Sequence, residues 1–273
     1  MTLLKDYQRF WKANSKVFVG QNLTNKGNLP VTERDFIKSL GHYRLNKKVP
    51  SPYQPNTIPY IEISKKRTVG SSILFVGMNP SGADVDYYLK HNKAKCEVFE
   101  YNNYAKSLYY QAMQKFANDC LGHEDADYSV LDVFGIVQGT QGVIVHDFLS
   151  RPNVYKEMFE IFLKAIVDLN PKVIIVANAF IRRLLLRGNE PKDVLKSPQY
   201  NIFYAQNPVY QLTVNPKFGG YEISIHGKKY QLYFSCMLSG QHALDLGNRE
   251  NLIWLVRNYL KNMQSCLNKT TFP

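Results

Sequence analysis

The stretch ILFVGMNPSGADVDYY, residues 73–88, decides the fold. An apolar run enters Gly77, turns through Asn79 and Pro80, and reaches a second glycine at Gly82. Such a run, closed by Gly and Asn-Pro, reads as a buried strand giving way to a tight loop. The G-x-x-x-x-G spacing also fits a phosphate-binding loop, which should continue with Lys and then Ser or Thr. Here Ala83 and Asp84 follow instead. A carboxylate there repels a triphosphate, and Pro80 removes a backbone donor from the cradle. The nucleoside-triphosphate reading fails, and G-x-G-x-x-G is absent as well.

Outward from this strand, apolar runs alternate with helical patterns. NYAKSLYYQAMQKFAND (103–119) has helical spacing, with Leu108, Met113 and Phe116 expected inward. YSVLDVFGIV (128–137) reads as a second strand. NVYKEMFEIFLKAIVDLN (153–170) places Tyr155, Met158, Phe159, Phe162, Ile166 and Leu169 three and four apart, and Pro171 ends that helix. KVIIVAN (172–178) has the β-branched character of a strand buried on both faces. AFIRRLLLR resumes a helix closed by Gly188. YEISIHGKKYQLYFSCML (221–238) predicts a hairpin turning at HGKK, and a last helix runs from about Arg249 to Lys261.

This order predicts an α/β domain over 60–273: three layers, α/β/α, with a central, mainly parallel sheet. Ligands of such sheets bind beyond the carboxyl ends of the strands. Residues 1–59 read as a helical N-terminal extension with a Pro-rich connector. Its first helix is expected at 2–17, with Leu3, Leu4, Tyr7, Phe10 and Trp11 at helical spacing; VTERDFIKSLG (31–41) predicts a second. KKVPSPYQPNTIP (47–59) reads as extended chain.

The 273 residues suffice for a sizeable core, and 45% are hydrophobic, which argues against general disorder. MTLLKDYQRFWKANSK is too polar for a secretory signal and too short to span a bilayer, so a cytoplasmic protein without a membrane partner is the expectation. Lys and Arg exceed Asp and Glu by 34 − 22 = 12, a balance that favours a polyanion such as DNA. The surplus is spread over the chain, and a solvated basic surface is the plainer alternative. Cys96, Cys120, Cys236 and Cys266 lie far apart with no C-x-x-C pair, so neither a metal nor an iron–sulfur cofactor is expected.

VGMNPSG after a buried strand resembles the first active-site motif of the uracil-DNA glycosylase superfamily, in particular its single-strand-selective and mismatch-specific branches. Three further segments stand in the family's order. VLDVFGIVQGTQ (130–141) resembles the base-reading strand and loop, and KVIIVANAFIRRLL (172–185) the third central strand with its helix. CMLSGQHALDLGNREN (236–251) stands at the second catalytic motif. The resemblance covers residues 70–262 and implies a uracil-DNA glycosylase-like fold. It also implies cofactor-free hydrolysis of the N-glycosidic bond of a flipped, deaminated base.

Carried over residue by residue, the resemblance gives Asn79 the role of orienting the attacking water. Gly77, Met78, Pro80 and Gly82 form the loop against the base. The family's base reader is usually Asn, whereas the matching position here is Asp132. An ionised carboxylate only accepts hydrogen bonds, so it suits a base with an amino group or a changed orientation. Alternatively, Asp132 caps a loop or helix. Phe134 stacks on a flipped base or belongs to the core, and Tyr101 or Tyr104 offers a second stacking ring.

The family's second-motif His stabilises the departing base anion, but Met237 or Leu238 occupies that position. His242, later in the same loop, supplies the donor or is a surface residue. Ser239, Gly240, Gln241 and Arg249 are candidate phosphate contacts, Arg249 equally a solvated helix-end charge. Two other classes stay open: a non-catalytic nucleic-acid-binding protein on the same fold, and a small-molecule enzyme using the same sheet edge.

Overall fold

The computed structural model describes residues 3–19, 61–64, 66–78, 98–101, 108–136, 144, 148, 152–187, 210–238 and 244–269. Five helices and eight strands occur among them, in the order α1 (Leu3–Val19), β1 (Ile61–Ser64), β2 (Ile73–Gly77), β3 (Val98–Tyr101), α2 (Leu108–Leu121), β4 (Tyr128–Asp132), α3 (Pro152–Leu169), β5 (Val173–Val176), α4 (Ala179–Arg187), β6 (Tyr210–Val214), β7 (Tyr221–Ile225), β8 (Lys228–Phe234) and α5 (Leu246–Lys269).

The main sheet has six strands in the order β4-β2-β5-β8-β7-β6. The first four are mutually parallel, and β7 and β6 extend the sheet antiparallel. The sheet is therefore mixed. Its parallel part matches the sequence reading, while the YQLTV strand (β6) at its edge was not foreseen. Nor was the separate parallel pair β1–β3.

Strand alternation builds two cores, because successive side chains point to opposite faces. On one face Leu74, Val76, Leu131, Ile174 and Val176 meet α1, α3 and α4. On the other, Ile73, Phe75, Tyr128, Val130, Val173 and Ile175 meet α2 and α5. Helices thus cover both sides of the sheet. All six residues predicted inward on α3 are buried. Asn170, at φ 47°, and Pro171 terminate that helix.

The first helix packs its Leu3, Tyr7, Phe10 and Trp11 into the same cluster as α3. Asp6 pairs with Lys164 at 2.7 Å, and Asn14 donates to Glu157 at 3.1 Å. On α2 the buried stripe is Met113, Phe116, Ala117 and Cys120. Leu108, expected inward, is 77% exposed. Five positions before Met113 it lies about 140° around the helix, off the stripe. The hairpin turns as expected: His226 and Gly227 take φ 48° and 79°, the signs a two-residue type I′ turn requires. The second predicted helix, 31–41, and the connector 47–59 lie outside the described residues. Among the described residues no helix is long and apolar enough to cross a membrane.

Candidate active site at the carboxyl edge of the parallel strands

The parallel strands end in register. Gly77 closes β2 opposite Asp132, which closes β4. The ladder continues past both ends, with Val133 N donating to Gly77 O at 3.1 Å and Phe134 N to Met78 O at 2.9 Å. Ala177 N donates to Val76 O at 3.0 Å and Ser235 N to Val176 O at 2.9 Å. The segments that carry the quoted motifs therefore leave one sheet edge side by side.

Gly77 and Asp132 share the face that α2 covers. A β-carbon at position 77 would overlap Asp132 Oδ1 and stand 3.3 Å from the Tyr109 hydroxyl on α2. Glycine is needed here for close approach, not for an unusual backbone angle. Met78 turns the other way and is buried in the opposite core.

Asp132 keeps some accessible surface, yet protein atoms surround its carboxyl, and burial pushes its pKa up to about 7. Among the described residues no ion pair or backbone N–H engages that carboxyl, so capping finds no donor there. Tyr7 from α1 and Tyr109 from α2 both lie close enough to feel its charge. Burial first, and the Asp132 charge second, hold both phenols well above their ordinary range. The Tyr7 hydroxyl is buried without a hydrogen-bond partner, near the backbone of Gly135. Sequence reasoning placed Tyr7 only in a helix core and passed over Tyr109 in favour of nearby rings. No local spacing links either residue to Asp132.

Phe134 is fully buried, 4.9 Å from Tyr155 in an edge-to-face contact and 6.3 Å from Phe148. Its ring belongs to the core, the second of the two roles open to it. Asn178, after β5, was also missed as a named residue. It is buried, and its Oδ1 accepts from Phe180 N at 2.9 Å and Ile181 N at 3.1 Å, capping α4. An Asn just before a helical pattern was the available signal.

At the second motif, Leu238 packs against the core on the α2 and α5 side and Met237 is half-buried. Leu244 N donates to Met237 O at 3.0 Å, tying the two ends of the LSGQHAL loop together. The closing helix starts earlier than expected, at Leu246, because Asp245 Oδ1 accepts from Asn248 N at 2.9 Å. Arg249 binds the Asp119 carboxylate at 2.5 Å and lies over the Phe116 ring at 5.7 Å. Burial raises the Asp119 pKa, but the hydrogen bond and charge of Arg249, helped by Lys115, outweigh it and leave the carboxyl below its ordinary value. Arg249 also borders an open depression of about 400 Å³ with Lys115, Trp254 and Arg257.

Asn79, Pro80, Gly82, Tyr104, Ser239, Gly240, Gln241 and His242 lie outside the described residues, as does the side chain of Tyr101. Among the described residues no group of three or more His, Cys, Asp or Glu side chains is placed to hold a metal ion. Compared with protein-family models and with curated proteins, the chain finds no match.

Proposed function

We propose that the chain is a uracil-DNA glycosylase-like hydrolase that cleaves the N-glycosidic bond of a flipped, deaminated base such as uracil in DNA, a base-excision repair step. The observation that carries this reading is the contact of Gly77 with Asp132 at the carboxyl edge. It brings the water-orienting loop and the base-reading strand, 55 positions apart by 132 − 77, to one point.

In this reading Asn79 aligns a water on one side of the sugar. The C1′–N bond breaks first, giving an oxocarbenium-like sugar and a base anion. Water adds its oxygen to C1′, and its proton is released to solvent or to the departing base. An amide aligns water without taking its proton, which a dissociative step tolerates. His242 is the candidate donor to the base anion, and the net charge of +12 favours the DNA backbone. The test is release of free base from uracil-containing single-stranded and mismatched DNA. Release by the parent and its loss in Asn79→Ala are expected; no release of any deaminated base by folded protein removes the reading.

One observation favours a second reading, a non-catalytic nucleic-acid-binding protein. The positions matching the second-motif His are Met237 and Leu238, both packed and neither able to donate. That reading expects salt-sensitive DNA binding which Asn79→Ala leaves unchanged.

A further inference from the structure

Asp132 is a carboxyl enclosed by protein at the end of a central strand, and what faces it is neutral. From β2 comes Gly77, from α2 the Tyr109 hydroxyl, and from α1 the Tyr7 hydroxyl. No described cation pairs with it; Lys66, the lysine nearest β4 by contact, packs on the Tyr128 ring, four residues down the strand. An enclosed charge without a partner is costly, and a carboxyl so placed holds its proton instead. The two protonation states differ in what they recognise. A carboxylate only accepts, whereas the neutral acid has one O–H donor beside one C=O acceptor, the same pair a carboxamide presents.

We infer that Asp132 meets its ligand as a neutral acid, so that the site selects a base edge on which N–H stands beside C=O and weakens as the Asp132 proton leaves. This rests on the glycosylase reading above and deepens it. The carboxyl O–H donates to the base carbonyl, and the carboxyl C=O accepts from the ring N–H. Deaminated bases carry that lactam edge; cytosine and adenine, with an amino group beside a bare ring nitrogen, do not. The departure from Asn at this position thus keeps the donor–acceptor pair and adds a dependence on pH. Tyr7 and Tyr109 act as positioning residues that keep water and charge away from the carboxyl.

The test compares uracil release from single-stranded DNA at pH 6.0 and pH 8.5 by the full chain and by Asp132→Asn, whose amide keeps the pair at both pH values. The ratio of release at pH 6.0 to release at pH 8.5 is expected to be at least tenfold smaller in Asp132→Asn than in the parent. Equal ratios overturn the inference and leave the glycosylase reading standing. No release by the parent at either pH removes the glycosylase reading and this inference with it. A second measurement uses the parent alone, so it does not depend on the variant folding. Its affinity for free uracil should fall at least tenfold between pH 6.0 and pH 8.5, and an unchanged affinity overturns the inference.

Discussion

The carboxyl of Asp132 fills the space that a side chain at position 77 would take. The two residues face each other at the end of the β2–β4 ladder, so neither can change without the other responding. Gly77→Ala must push the carboxyl aside against Tyr109, 3.3 Å from the new methyl group. Overpacking of this kind costs about 1–3 kcal/mol. Urea melts should show that loss. Pairing Gly77→Ala with Asp132→Ala should recover part of it, since contacting sites are not additive. Additive losses would mean that the two side chains do not compete for this space.

Burial of Asp132 also predicts how stability depends on pH. In the unfolded chain an Asp titrates near ~3.9; in the fold it titrates at about 7. Between these values the folded state holds a proton that the unfolded state has lost. Stability is therefore greatest below the lower value, falls as pH rises through the window, and levels off above about 7. The slope is at most about 1.4 kcal/mol per pH unit. Asp132→Asn lacks this slope, so its melting temperature should gain on the parent's between pH 4 and 7 and then run parallel. A constant gap across that range would count against a buried, proton-holding carboxyl.

Asn178 holds the start of α4 through two backbone N–H groups, and the site is buried. Asn178→Ala leaves both donors unpaired away from water. The expected loss is about 1–2 kcal/mol, read from chemical denaturation, with Asn178→Asp losing less because its carboxylate still accepts.

How far the sequence reveals this architecture follows from the range of each signal. The α3 stripe and the β2 and β5 runs were legible because periodicity and burial on both faces are local properties. The β7–β8 hairpin was legible because His226–Gly227 carries the turn's backbone signs. β6 was not, since YQLTV alternates too briefly to stand apart from loop sequence. Leu108 misled because apolar character at a helix start was taken for the inward face. At the site, the quoted strings marked Gly77 and Asp132 singly. Their contact, and the approach of Tyr7 and Tyr109 from opposite faces of the sheet, depend on tertiary packing that no spacing encodes. Arg249 was placed at a helix start, but its partner Asp119 lies on α2 and was invisible for the same reason.

That partner leads to a prediction about DNA affinity. A phosphate that approaches Arg249 must compete with the Asp119 carboxylate, which already holds the guanidinium against Phe116. Replacing Asp119 by Asn removes the competing charge and leaves Lys115, Arg249 and Arg257 facing the same depression. If the depression lies on the DNA path, Asp119→Asn tightens binding to single-stranded DNA. Each phosphate newly neutralised steepens the dependence of log affinity on log salt by about 0.7. A steeper slope in Asp119→Asn, lost again in Asp119→Asn with Arg249→Gln, places Arg249 on that path. Unchanged slopes in both variants make the Arg249–Asp119 pair purely structural. Its removal then costs only the about 0.2–1 kcal/mol typical of a partly exposed ion pair.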